Sequence, residues 1–116
     1  MQEAYLAAIR LDPTHADAHY YLGLLRQDEL RDIDGAEAAY RAAIAAVPDH
    51  ARAHFNLGLL LQTEREDIDG AEAAYRAAIA VNPGCADAHT SLGRLLAIVR
   101  QDMRRRRPSA RPPAGR

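Results

Sequence analysis

Apolar residues recur along this chain at intervals of three and four, the spacing of one face of an α-helix. Ala18, Leu22 and Leu25 form one such set and Ala53, Leu57 and Leu60 another, each followed by a polar break, Glu29–Asp34 and Glu64–Asp69. A second helix is expected after each break, over Ala36–Ala46 and Ala71–Val81, with Ala39, Tyr40, Ala43 and Val47 marking its buried side. Asp34 and Asp69 stand ahead of these segments with Glu37 and Glu72 three residues on. That is a capping-box arrangement, in which side chains satisfy the open amide donors of a first helical turn. Pro48 and Pro83 close each segment, because proline lacks an amide donor and holds the residue before it away from helical angles. The pattern predicts antiparallel helical hairpins, whose two helices are called A and B below.

The hairpins are copies of one another. Residues 16–50 and 51–85 align at an offset of 35 with 24 of 35 positions identical, and Asp32–Ala45 recurs unbroken as Asp67–Ala80. A unit this short cannot bury its apolar face alone and is stabilised by stacking on its neighbours. Gly23, Gly58 and Gly93 fall inside the A helices, where glycine is about 1 kcal/mol less favourable than alanine. Close approach of helix B, with Tyr40 or Tyr75 packed over the bare backbone, is the expected compensation. Running the register outward places Tyr5, Ala8 and Pro13 on the B helix of a half repeat, residues 1–13, and Leu92 and Gly93 on the A helix of another, residues 86–103.

This spacing resembles the tetratricopeptide repeat, in which a Leu-Gly pair on helix A packs against Ala, aromatic and Ala positions on helix B. Leu22, Gly23, Ala36, Tyr40, Ala43 and Pro48 match it once; Leu57, Gly58, Ala71, Tyr75, Ala78 and Pro83 match it again. Two features depart from the family: the period is 35 instead of 34, adding a residue to the A–B turn, and His19, His54 and His89 stand where the family often has Trp. The Sel1-like repeat, a related hairpin with a longer turn, is the alternative, and the closing prolines favour the first reading. The resemblance implies an all-α, right-handed solenoid of about six helices over residues 1–103. It further implies a non-catalytic scaffold that binds a peptide or partner protein in a concave groove lined by the A helices. The groove positions correspond to Asp17, Tyr20, Tyr21, Leu24 and Gln27, then Arg52, Phe55, Asn56, Leu59 and Gln62, then Asp87, Thr90, Ser91 and Arg94.

The two copies diverge at these positions: Asp17 becomes Arg52, Tyr20 becomes Phe55 and Tyr21 becomes Asn56, while the packing positions hardly change. Drift of positions on which nothing packs gives the same divergence, but exposed Tyr and Phe belong more often to interfaces. Tyr20, Tyr21 and Phe55 are then apolar anchors, Asn56 and Gln62 contact a peptide backbone, and Arg52 and Arg94 select charge. Some family members clamp a partner's terminal carboxylate with Lys, Asn and Arg. Asn56 fits, but the chain has no Lys, so this mode is disfavoured.

Charge is unevenly spread. Residues 1–99 hold 8 Arg against 15 acidic residues, whereas residues 100–116 hold 7 Arg against one Asp. From Arg104 the sequence becomes Arg- and Pro-rich and is expected to be a disordered tail, 104–116. Its arginines offer an alternative function, salt-sensitive binding of nucleic acid or an anionic surface, although it has no aromatic residue to stack on bases. The half-repeat ends suggest a homodimer through exposed helix faces, or a fragment of a longer array. His15 and His19, His50 and His54, and Cys85 and His89 stand four apart, a usable metal-ligand spacing; no third ligand recurs, so packing is the expected role and no metal or cofactor is assigned. No nucleophile, paired base or phosphate loop forms a catalytic set. The single cysteine, Cys85, and the lack of a signal-like or membrane-spanning segment point to a cytoplasmic protein.

Overall fold

The structure is a computed structural model that describes residues 2–106. Its described residues form six helices and no strand: α1 (Gln2–Leu11), α2 (Ala16–Asp28), α3 (Ile33–Ala46), α4 (Ala51–Thr63), α5 (Ile68–Val81) and α6 (Ala86–Arg106). Helices α2 and α4 are A helices, each paired with the B helix that follows it, α3 and α5; α1 is a B helix and α6 an A helix. The chain is thus an all-α solenoid in which each helix packs on its neighbours in sequence.

The core runs along the middle of this stack. Ala36, Tyr40, Ala43, Ala53, Leu60, Ala71, Tyr75, Ala78 and Leu95 are fully buried. A Cβ placed on Gly23 would lie 2.6 Å from Cε1 of Tyr40, and one on Gly58 would lie 2.6 Å from Cε1 of Tyr75. Each glycine is therefore a notch into which the tyrosine ring of the B helix is pressed. Burying such a ring removes on the order of 150–250 Å² from water, about 4 kcal/mol or more at the usual apolar coefficient. That exceeds the helix penalty of the glycine several-fold. At the polar end of the ring, the Tyr40 hydroxyl donates to Oε1 of Gln27 at 2.8 Å and the Tyr75 hydroxyl to Oε1 of Gln62 at 2.7 Å.

The B helices start earlier than the capping-box reading expected. Asp32 and Asp67, not Asp34 and Asp69, are the N-caps, each accepting from the amide three residues on, Gly35 or Gly70, at 2.9 Å. Ile33 and Ile68 decide this: both pack against the core, which draws the first turn back to them. Glu37 is thereby displaced into the second turn, where it pairs with Arg41 at 2.9 Å and with Arg65 at 3.1 Å. Val47 is 37% exposed instead of buried, because it is the C-cap residue and the helix has already ended at Ala46. Arg31 and Glu66 occupy the A–B turns with φ of 52° and 54°, in the left-handed region. The turn they make returns the Asp32 amide to the Arg26 carbonyl and the Asp67 amide to the Leu61 carbonyl, both at 2.8 Å.

Helix α6 continues to Arg106, past the expected boundary at residue 103, so the first arginines of the expected tail are helical. Residues 107–116, with the rest of the expected disordered tail, lie outside the described residues. No described helix is long and apolar enough to cross a membrane.

Gly58→Leu is expected to overpack the Tyr75 notch and lower stability by about 3 kcal/mol, read as a reduced denaturant midpoint; an unchanged midpoint would refute the notch. Burial pushes the Tyr40 hydroxyl from an ordinary value of 10.0 up to about 12. The folded state then holds its phenolic proton above pH 10 while the unfolded chain releases it, so this stabilisation is complete below pH 10 and is lost as pH rises toward 12. Absorbance titration near the phenolate band should show Tyr40 ionising last, and the melting temperature should fall over that window.

Candidate functional site

The A helices carry the residues the sequence singled out. On α2, Tyr21 is 38% exposed and Leu24 half-buried, while Tyr20 is only 7% exposed. Tyr20 is therefore not an open anchor: its ring packs beside Tyr21 at 5.2 Å, Tyr40 at 6.2 Å and His50 at 5.2 Å, and its hydroxyl donates to Oδ1 of Asn56 at 3.5 Å. Burial raises the Tyr20 pKa accordingly. Gln27 and Gln62 are used as the acceptors for the notch tyrosines, so Gln62 is occupied inside the repeat. On α4, Phe55 and Leu59 are half-buried and packed against the core, with Phe55 5.9 Å from Tyr75. On α6, Asp87, Thr90 and Arg94 are exposed and Ser91 is half-buried.

What the fold brings together is an aromatic and cationic patch across α1, α2 and α4. Tyr5 stacks on Tyr21 with ring centres 6.0 Å apart and planes 17° from parallel. The guanidinium of Arg52 lies 5.1 Å from the Tyr20 ring centre and 5.9 Å from that of Tyr21, a cation–π arrangement. Arg52 also donates to the Tyr21 hydroxyl at 3.5 Å and stands 3.8 Å from Asp17, and the hydroxyl beside it raises its pKa further. Asp17 in turn accepts from Nε2 of His50 at 2.8 Å. Sequence reasoning placed Tyr5 among packing positions and did not pair Asp17 with His50. The signal for Tyr5 was present in its offset of 35 from Tyr40: a B helix faces the next A helix as well as its own.

Two family models, both described as tetratricopeptide repeat, match the chain, one over residues 25–65 and 60–103 and the other over residues 4–38. The chain belongs to the tetratricopeptide-repeat family. The Sel1-like alternative is not needed. Among solved structures, the tetratricopeptide array is similar to the protein MamA, at 31% identity and a TM-score of 0.75 over 83% of this chain, and it spans 55% of that chain. It is also similar to the first tetratricopeptide domain of Spaghetti (RPAP3) bound to the HSP90 peptide SRMEEVD, with a TM-score of 0.76 and 15% identity over 84% of this chain and 76% of that one. A third likeness is to the O-GlcNAc transferase of Thermobaculum terrenum, at 26% identity and a TM-score of 0.72, covering 82% of this chain and 18% of the transferase. No curated protein matches the chain in sequence.

Within this tetratricopeptide array the histidines are structural. His19, His54 and His89 each donate from Nε2 to the carbonyl of the preceding turn proline, Pro13, Pro48 and Pro83, at 2.9, 2.8 and 2.8 Å. Each thus ties helix A to the turn that feeds it. His15 and His50 are N-caps, accepting at Nδ1 from the amides of Ala18 and Ala53 at 3.1 Å. Nitrogens so engaged are turned to the backbone, and no group of three or more ligating residues that could hold a metal occurs among the described residues. His54→Ala is expected to lower stability by about 1 kcal/mol through the lost turn bond, while equimolar Zn²⁺ leaves the melting temperature of the unaltered protein unchanged; a zinc-dependent rise would restore the metal reading.

Proposed function

We propose that the face lined by α2, α4 and α6 binds an extended or helical peptide of a partner protein, making the array a non-catalytic interaction scaffold. The observation that carries this reading is the exposed Tyr21, stacked between Tyr5 and Arg52 on a face whose composition differs from copy to copy. Aromatic rings and arginines are the side chains that contribute most at protein interfaces, since they offer large contact area at small conformational cost. A peptide with an apolar side chain against Tyr21 and Phe55 and an acidic group toward Arg52 or Arg94 suits this face. Asn56, beside them on α4, offers a polar contact to the peptide backbone. The RPAP3 domain, which holds a peptide on the same fold, supports peptide binding as the mode. A terminal-carboxylate clamp is not proposed, because the array has no lysine. The lone thiol of Cys85 suits the cytoplasm as the place of action.

Panning a displayed library of random peptides against the array should enrich sequences that join an acidic residue to an apolar one. Binding of those peptides should weaken at least tenfold in Tyr21→Ala and Arg52→Gln variants of unchanged helicity. Enriched peptides that bind both variants as tightly as the unaltered protein would overturn the assignment.

A further inference from the structure

The two ends of the described array are unlike its middle, and they are unlike it in complementary ways. Gly23 and Gly58 are buried under tyrosine rings, whereas Gly93, the same position on α6, is exposed, and a Cβ placed there meets nothing within 4 Å. At the other end, Ala4, Tyr5 and Ala8 of α1 stand at the positions of Ala39, Tyr40 and Ala43 on α3 and of Ala74, Tyr75 and Ala78 on α5. On α3 and α5 all of these are buried; on α1 Ala4 is exposed and Tyr5 and Ala8 are half-buried. Thus α6 presents an A-helix notch without its tyrosine, and α1 presents a B-helix tyrosine without its notch.

By sequence, the segment after α6 is poorly suited to a third B helix in register. A third B helix would occupy residues 103–116 by the 35-residue offset, but α6 runs straight through the place of the A–B turn to Arg106. Pro108, Pro112 and Pro113 then fall inside the segment where amide donors are needed. We propose that the Gly93 face of α6 receives α1 of a second copy of this chain, so that copies stack head to tail. The template is the chain's own A-to-B interface, in which Gly58 takes Tyr75; Tyr5 of the incoming copy takes the place of Tyr75 over Gly93, and its own α2 continues the stack. Charge favours the same junction. The turn ends of successive repeats lie side by side, as the 3.0 Å pair of Arg31 with Glu64 shows, and α6 carries Arg100, with Arg104 and Arg105 against Asp102 further along, beside the position where α2 of the incoming copy ends in Asp28 and Glu29. Such a contact joins two different surfaces, so it propagates into a filament or closes into a ring.

One departure from the template sharpens the test. Gln27 and Gln62, which accept from the notch tyrosines, are replaced on α6 by Ala97, so the junction lacks a bond that the internal interfaces have. Sedimentation velocity over a wide concentration range should show the mass of the unaltered protein rising with concentration and falling with added salt. Gly93→Leu, whose side chain enters open space in the isolated chain, should retain full helicity and stay monomeric. Ala97→Gln should restore the acceptor and tighten association about threefold to tenfold. Arg52→Gln, a variant of the peptide-binding face, should leave the mass unchanged, which separates this junction from that reading. An unaltered protein that stays monomeric throughout, association of Gly93→Leu equal to that of the unaltered protein, or an Ala97→Gln variant no tighter than it would each overturn the proposal.

Discussion

The insertion of a B-helix tyrosine over an A-helix glycine is the contact on which this architecture depends. It fixes three things at once. The bare backbone at Gly23 and Gly58 sets how closely the two helices approach, since a single Cβ there would lie 2.6 Å from the ring. Ring burial provides the largest single apolar contribution in each unit, Tyr40 and Tyr75 being the largest fully buried side chains. The hydroxyl, held by Gln27 or Gln62, sets the rotation of helix B about its own axis. Distance, energy and orientation are thus specified by two residues and an amide, and the alanines around them follow from the same close approach.

The turns then determine how units are joined. A left-handed residue, Arg31 or Glu66, reverses the chain after helix A, and an aspartate cap begins helix B. After helix B, proline ends the helix, and a histidine from the next A helix bonds back to that proline's carbonyl. Because the same devices recur at each step, every unit meets its neighbour with the same geometry, and stability is close to a sum of units and nearest-neighbour contacts. The ion pairs across the turns, Arg31 with Glu64 and Arg65 with Asp34 and Glu37, lie in solvent and contribute little each.

Much of this was legible in the sequence because repetition is a long-range signal carried by local identity. Leu22 with Gly23, Tyr40, Ala43 and Pro48 specify the hairpin, and their recurrence specifies the stack. The caps were misplaced because Asp32 and Asp34 are equally good cap residues locally; burial of Ile33 against the core decides between them, and no local rule weighs that. The candidate face was legible by position and not by exposure. Tyr20 and Tyr21 are adjacent in sequence and on adjacent sides of one helix, so a rotation of about 100° places one in the core and leaves the other open. Gln27 and Gln62 read as surface polar residues until the tyrosine hydroxyls are placed. The Trp-like position of the histidines pointed to packing, whereas their bonds to proline carbonyls required the turn geometry.

The copies also separate two constraints that a single unit would mix. Positions around the notch are held nearly constant because each must fit the same ring, and the tolerance of a close-packed contact is a fraction of an ångström. On the A-helix face the copies differ at three positions, Asp17, Tyr20 and Tyr21 against Arg52, Phe55 and Asn56, and of these only the Tyr20 and Phe55 rings pack on the core. A repeat protein built this way can therefore change the exposed residues of its A helices without disturbing what holds it up. The ends follow from the same separation. Among the described residues no tyrosine covers the notch of α6 and no notch lies beneath the tyrosine of α1, although the residues that make such a contact stand on both helices. The proposed junction repeats between copies the A-to-B interface that occurs twice within the described residues, with α6 of one copy as its A helix and α1 of the next as its B helix.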